Sequence, residues 1–218
     1  MSELPGASLH RLLANLCGAL QLTGNVSQDV PTFLQHHHHT TTALHCQQVA
    51  ATARHVAALA KVNLAQAETA GWLHDISAIF PVPERVQIAH TLGLEVLPEE
   101  KDCPMIVHQK LSRQMALEIF GVTDLLILDA IGCHTTLRAQ STALDKVLFV
   151  ADKLAWDQHG IPPYREELQT ALSHSLDEAT IFFVNYLWDH RNDLLVIHPW
   201  LRAAQQELSS ESTGQKRP

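Results

Sequence analysis

Six residues spread over the chain carry side chains that suit metal chemistry. They are His45, His74, Asp75, His108, His134 and Asp152. Four neutral imidazoles together with two carboxylates form a ligand set that suits a pair of divalent first-row metal ions. Such ions activate water and neutralise phosphate charge, so the set indicates a metal-dependent phosphohydrolase.

The helices predicted around these residues bring the first three of them together. A helix over 43–61 begins near His45, and a helix over 65–73 ends at His74 and Asp75. The short loop between the two helices makes them antiparallel neighbours, so the start of one lies beside the end of the other. We therefore expect these three side chains to converge.

The other three residues follow a similar pattern further along the chain. His108 lies near the start of a helix predicted over 105–120, and His134 lies at the end of the next, predicted over 124–135. Asp152 lies midway along a later apolar helix, where a lone carboxylate needs a partner. All six residues therefore occupy positions from which their side chains can meet.

Each of the six also has a structural alternative. A single histidine on an apolar helix is usually a core or surface residue. The chain contains 15 histidines, so some spacings arise by chance. Asp152 has the further alternative of an ion pair with Lys153 or with a nearby arginine.

The whole chain is predicted to be helical, because no segment shows the alternating pattern of a strand. An amphipathic helix over 9–22 and a connector containing Pro31 form an N-terminal part, residues 1–35. Four histidines at 36–39 are interpreted as a polar surface loop, and the main domain spans 40–208. Residues 209–218 are polar and charged, which predicts a disordered tail.

Composition limits the classes of function. The chain has 218 residues, and its formal charge is -8 with a pI near 6.0. This negative charge argues against a nucleic-acid partner, because nucleic-acid binding needs a basic surface. No apolar run is long enough to span a membrane, and no signal peptide precedes the first helix. The four cysteines form no CxxC pair. We therefore expect reduced thiols in a cytoplasmic protein, either a monomer or a homodimer.

Three stretches carry a family resemblance: residues 70–76, 130–138 and 145–153. With His45 and His108 they resemble the HD-domain metal phosphohydrolases, and most of all the bacterial symmetrical diadenosine tetraphosphate hydrolases (YqeK-type). The resemblance runs from Thr42 to Asp157. It implies an all-α HD-domain helical bundle around two divalent metal ions, most typically iron, with manganese, cobalt, nickel or zinc as alternatives.

The resemblance also implies roles for individual residues. One metal ion would be held by His45, His74, Asp75 and Asp152, and the second by His108 and His134, with Asp75 as the bridging catalytic residue. The implied reaction is hydrolysis of diadenosine tetraphosphate to two ADP by a metal-bridging hydroxide. Thr135 and Arg138 match positions beside the metal ions, and with Lys110 they are expected to contact the substrate phosphates.

Some positions depart from the family pattern. Ala78 stands where a lysine is usual, and residues 153–158 lack the usual proline and arginine. Trp156 is either a core aromatic or a surface on which a base stacks. Two alternatives to the tetraphosphate hydrolase therefore stay open. One is an HD phosphohydrolase or phosphodiesterase acting on another nucleotide, and the other is a non-catalytic, metal-bound nucleotide-sensing protein.

Overall fold

The computed structural model describes residues 6–156 and 160–214, and it confirms the all-α fold: no strand occurs within these ranges. Three short 3₁₀ turns, Ile76–Ile79, Val82–Glu84 and Pro104–Val107, accompany the helices. The helices of the described residues are α1 (Gly6–Cys17), α2 (Val26–His36), α3 (Thr40–Ala60), α4 (Leu64–Leu73), α5 (Arg85–Thr91), α6 (Pro98–Asp102), α7 (His108–Glu118), α8 (Leu125–Cys133), α9 (Ala143–Leu154), α10 (Arg165–His174), α11 (Leu176–Asp189) and α12 (Pro199–Gly214).

Helices α3, α4, α8 and α9 form the centre of the bundle, and small residues let the first two approach closely. Alanines fill the facing sides of α3 and α4, and Gly71 lies against Ala50. A Cβ atom at Gly71 would lie 2.5 Å from the Cα atom of Ala50, so glycine is needed there. This close packing brings the start of α3 beside the end of α4.

Helix α9 belongs to both hydrophobic clusters of the protein. Its residues Val147 and Leu148 pack into the core formed with α1, α2, α3, α4, α5, α7 and α8. Its residues Phe149 and Val150 face the second cluster, which α10, α11 and α12 complete. The C-terminal helices therefore lie against the same helix that carries Asp152.

The prediction of a connector before residue 36 was wrong, because Val26–His36 is helix α2. The Asn25 side chain caps it by accepting from the backbone N–H of Ser27. Pro31 removes one backbone N–H from the helix interior, and burial of Phe33 and Leu34 offsets that loss. Of the four histidines at 36–39, His36 ends α2 and the other three form the turn between α2 and α3. There the His37 ring contacts the backbone carbonyl of Leu16 at 2.9 Å.

Two further segments also differ from their predictions. The two prolines in residues 94–104 predict an irregular stretch, but Pro98–Asp102 forms a short helix there. The last helix continues to Gly214, so the prediction of a disordered tail was wrong for 209–214, while 215–218 lie outside the described residues. A hydrogen bond from Gln205 Nε2 to Ser209 Oγ, at 2.8 Å, supports that continuation because helical neighbours four apart face each other. Within the described ranges, none of the helices combines the length and hydropathy needed to cross a membrane.

Candidate metal centre

The six residues singled out from the sequence converge on one cavity of about 240 Å³ in the middle of the bundle, named the metal cavity below. Its walls are His45, His74, Asp75, Met105, His108, His134, Thr135, Asp152, Lys153, Trp156 and Tyr164. Helix ends supply most of the donors. His74 and His134 directly follow the last residues of α4 and α8, and His108 is the first residue of α7.

The imidazole nitrogens face one another in two close pairs. His45 Nε2 lies 3.2 Å from His74 Nε2, and His108 Nε2 lies 3.0 Å from His134 Nε2. The carboxylates complete the arrangement. Asp152 Oδ1 lies 3.3 Å from His45 Nε2, and Asp75 Oδ1 lies 3.4 Å from His108 Nε2. Ligating atoms of His45, His74 and Asp152, and likewise of His74, Asp75 and His134, lie within 4.8 Å of one another.

Backbone carbonyls fix the tautomers of three of these histidines. The Nδ1 atoms of His74, His108 and His134 lie 2.8, 2.6 and 2.8 Å from the carbonyl oxygens three residues earlier. A carbonyl only accepts, so each Nδ1 donates and each neutral ring keeps its lone pair on Nε2. The lone pairs therefore point into the cavity, as in metal-ligating histidines whose other nitrogen is held by a carbonyl.

The donor set fits metal ions. His108 and His134 each present a lone pair on Nε2, so the 3.0 Å contact between these atoms is not a hydrogen bond. A cation between them would make the contact favourable. Two imidazole nitrogens bound to one metal ion at about 2.1 Å lie about 3.0–3.4 Å apart, from octahedral to tetrahedral geometry. Both imidazole pairs have spacings in this range.

Both carboxylates are ionised in the folded protein. Burial raises the pKa of Asp75, but the surrounding imidazoles, His108 foremost, lower it by more, to about 2. Burial likewise raises the pKa of Asp152. The charge of Lys153 and a hydrogen bond from His45 outweigh that effect and hold it well below its usual range. The site therefore presents two negative charges to a cation at neutral pH.

Burial has the opposite effect on the histidines because it disfavours their charged form. It lowers the pKa of His74, although nearby carboxylates partly oppose the shift. It lowers the pKa of His134 well below the usual value, and the neighbouring His108 adds to that shift. Neutral imidazoles and ionised carboxylates are the protonation states that bind metal ions.

The structure separates the three residues expected to contact phosphate. Thr135 lines the metal cavity, and its hydroxyl lies 3.1 Å from His108 Nε2. Lys110 does not line the cavity. Its ammonium donates to Glu100 Oε2 at 2.8 Å and to the backbone carbonyl of Glu95 at 2.9 Å. We therefore do not place Lys110 at the substrate.

Arg138 also lies away from the metal cavity. Its Nε donates to Asp145 Oδ2 at 3.0 Å, and its Nη2 donates to Asp129 Oδ2 at 3.2 Å. Asp145 is completely buried, and it also accepts from the backbone N–H of Thr142 in the N-terminal cap of α9. Arg138 is therefore held in a structural ion-pair network and not as a phosphate contact.

This placement predicts that Arg138→Ala lowers stability and leaves substrate binding unchanged. We expect a loss of about 1–2 kcal/mol in urea unfolding, less than for a fully buried pair, since Arg138 is 32% exposed. The control is Arg54→Ala, which removes an exposed ion pair with Glu68 and should change stability by less than about 1 kcal/mol. A tenfold rise in KM without a loss of stability would instead place Arg138 at the substrate.

Sequence reasoning missed three side chains that line the metal cavity: Met105, Lys153 and Tyr164. From the sequence, Lys153 is predicted only as an ion-pair partner of Asp152. Among the described residues that line the cavity, it is the one lysine or arginine, and its Nζ contacts Asp152. Tyr164 lies beyond the metal-ligand segments, and only the fold of α10 against α9 brings it near. Trp156 also lines the metal cavity, where its ring packs edge to face with Tyr164. Stacking on a base is one of the two interpretations that the sequence allows for this residue.

Fold and site together define an all-helical, His/Asp metal-binding bundle. Residues 42–157 match the HD domain family, and the chain belongs to that family. The matched segment contains all six convergent residues.

Three known proteins are similar to this chain. It is 42% identical over 150 residues to an uncharacterised protein of Lactococcus lactis subsp. cremoris, covering 69% of this chain and 76% of the relative. It is 28% identical over 144 residues to the symmetrical bis(5'-nucleosyl)-tetraphosphatase of Bacillus subtilis. This match covers 62% of this chain and 76% of that protein. A crystal structure of a protein from Clostridium acetobutylicum superposes on this chain with a TM-score of 0.77 at 23% identity. The superposition covers 84% of this chain and 97% of that one, so the two proteins share the fold. That protein is described as a predicted HD superfamily hydrolase involved in NAD metabolism.

Proposed function

We propose that the protein hydrolyses diadenosine tetraphosphate symmetrically to two ADP. The observation that carries this proposal is the 3.0 Å contact between the Nε2 lone pairs of His108 and His134, beside two ionised carboxylates. A cation held between these two rings would make the contact favourable, and divalent cations neutralise the charge of a polyphosphate. The name of the Bacillus subtilis relative supports the choice of substrate.

Two divalent ions, with iron first and manganese, cobalt, nickel or zinc as alternatives, would be held by the six residues. Asp75 would bridge them, His45, His74 and Asp152 would hold one, and His108 and His134 would hold the other. The chemistry they supply when bound is an activated water molecule and charge neutralisation on the phosphates.

The side chains of this protein supply orientation and charge around the phosphates. Thr135 presents a hydroxyl beside His108, where it can hydrogen-bond a phosphate oxygen. Lys153 presents an ammonium at the cavity wall, where it neutralises charge on the departing ADP. The Gly71, Met105 and Ile131 carbonyls keep three histidines in the metal-binding tautomer.

The role of Lys153 leads to a prediction about substrate affinity. Lys153→Gln should raise KM for a polyphosphate substrate by about tenfold, because a charge-assisted contact is worth about 1.5 kcal/mol or more. Lys146→Gln is the matched control, since this lysine also lies on α9 but pairs with Asp177 outside the cavity. An unchanged KM in Lys153→Gln would show that the ammonium only pairs with Asp152.

One experiment tests the proposed function directly. Protein purified without oxygen is analysed for metals per chain, and the nucleotides formed from diadenosine tetraphosphate are separated by ion-exchange chromatography. We expect about two metal ions and ADP as the sole product. ATP with AMP would contradict symmetrical cleavage. Bound metal without cleavage would favour another nucleotide substrate or a sensing role, and protein that binds no added iron or manganese would refute the metal site.

A further inference from the structure

A second cavity, of about 330 Å³, lies directly beside the metal cavity. Its walls are mainly apolar and include Ile106, Leu187, Leu194, Leu195, Val196 and Leu201. These residues come from the 3₁₀ turn before α7, the end of α11, the segment joining α11 to α12, and α12 itself. Its volume is within the range of about 300–1,000 Å³ that small-molecule sites occupy.

The two cavities share a wall. Met105 and Thr135 line both of them. The Thr135 hydroxyl lies 3.1 Å from His108 Nε2, so this part of the shared wall borders directly on a candidate metal ligand. A molecule with an apolar part in one cavity and phosphates in the other would fit across this wall.

Two of the polar side chains in the apolar cavity, His198 and Thr136, are already satisfied by internal contacts. His198 Nδ1 accepts from the backbone N–H of Trp200 at 3.2 Å, so its Nε2 carries the proton and donates to Glu100 at 3.2 Å. The Thr136 hydroxyl donates to the backbone carbonyl of Leu137 at 3.0 Å. These two side chains therefore need no hydrogen-bond partner from a ligand. The walls suit a flat, largely apolar group.

Exposed apolar side chains stand at the mouth of this cavity. Leu195 is 84% exposed and Met105 is 53% exposed, although both line it. Contact with a ligand would remove this apolar surface from water and so contribute to affinity. Asp193, exposed in the same segment, adds a carboxylate acceptor at the rim.

We propose that the apolar cavity, named here the nucleoside cavity, holds the base and ribose of a nucleotide whose phosphates lie in the metal cavity. This proposal rests on the proposed function, since it assigns the site of one nucleoside of that substrate. The shared wall carries the choice of occupant, because it joins an apolar space to a site built for polyphosphate. Leu195 and Val196 then act as specificity-determining residues for the nucleoside half.

Binding measurements test this proposal independently of turnover. Manganese-loaded protein is titrated calorimetrically with ADP and with inorganic pyrophosphate, which carries the phosphates without the nucleoside. Val196→Trp fills part of the nucleoside cavity and should weaken ADP binding by about tenfold or more. Pyrophosphate affinity should stay within twofold of the wild-type value. Leu59→Trp, at an exposed position of α3 remote from both cavities, is the matched control.

Leu195→Ala keeps the test valid if the tryptophan disturbs the fold, because this side chain is almost fully exposed. It should weaken ADP binding about threefold and leave pyrophosphate binding unchanged. Unchanged ADP affinity in both variants, or a wild type that binds ADP no more tightly than pyrophosphate, would overturn the nucleoside cavity. A selective loss of ADP affinity in protein that never cleaves diadenosine tetraphosphate would support the cavity and refute only the proposed function.

Discussion

Replacing His108 by alanine is expected to lower turnover by at least about 100-fold, which corresponds to about 2.7 kcal/mol of transition-state stabilisation. Metal content should fall by about one ion per chain, because the variant removes one of the two imidazoles that would hold the second ion of the proposed pair. His108 Nε2 lies 3.0 Å from His134 Nε2 and 3.4 Å from Asp75 Oδ1, so its loss leaves both with a missing partner. Elemental analysis and steady-state kinetics on the same preparation measure the two effects.

The fold should tolerate this change. His108 is the first residue of α7, and its side chain lines the metal cavity and belongs to neither hydrophobic cluster, so little core packing is lost. His55→Ala is the matched control, because His55 lies exposed on α3 and away from the metal cavity. If His108→Ala kept its full metal content and lost activity by less than tenfold, His108 would not be a ligand.

The helical framework of the site was accessible from the sequence. Apolar spacing and the break after Lys61 identified α3 and α4 as antiparallel neighbours, and this arrangement places His45 beside His74. A carboxylate at Asp152, within an apolar helix, signals a buried partner because an unpaired charge there is costly. Local pattern sufficed in these cases because short loops leave few ways to pack adjacent helices.

The directions in which the long charged side chains point could not be predicted from the sequence in the same way. Lys110 and Arg138 are close to His108 and His134 in sequence, yet each points towards carboxylates and away from the cavity. The partner of Lys110, Glu100, belongs to the short helix α6, in a stretch that was predicted to be irregular. Such side chains have several rotamers, so their partners in the tertiary structure decide where the charge lies.

The nucleoside cavity could not be predicted from the sequence for a related reason. Its walls join Ile106 to residues of the α11–α12 segment, such as Val196, which are distant in sequence and lie in no motif. Apolar residues of that kind read from sequence as ordinary core. Only the tertiary structure leaves space between them and exposes Leu195 at the edge.

Gly71→Ala is expected to destabilise the protein by about 1–3 kcal/mol or more, the range for overpacking in a tight core. The new Cβ would lie 2.5 Å from Ala50 Cα and 2.8 Å from Ala50 N, so backbone atoms of α3 must move. Alanine gains about 1 kcal/mol over glycine in a helix interior, which offsets only part of the strain. Urea unfolding of the metal-free protein measures the net loss without any contribution from bound ions.

Gly132→Ala provides the matched comparison, because Gly132 also lies in a helix just before a candidate ligand. Its Cβ would lie 2.9 Å from Arg113 Cδ, an atom in a flexible side chain that can move aside. We expect stability within about 0.5 kcal/mol of the wild type, since the gain in helix propensity balances a small adjustment.

The two substitutions should also differ in their effect on the metal site. The carbonyl of Gly71 accepts from His74 Nδ1 at 2.8 Å, so a shift of α4 away from α3 would turn that imidazole as well. Gly71→Ala should therefore weaken metal binding, by about tenfold for loss of an orienting contact, while Gly132→Ala leaves it unchanged. Equal stability and equal metal affinity in the two variants would show that the α3–α4 contact adjusts without strain. The close approach of these helices would then not be what holds His74 in place.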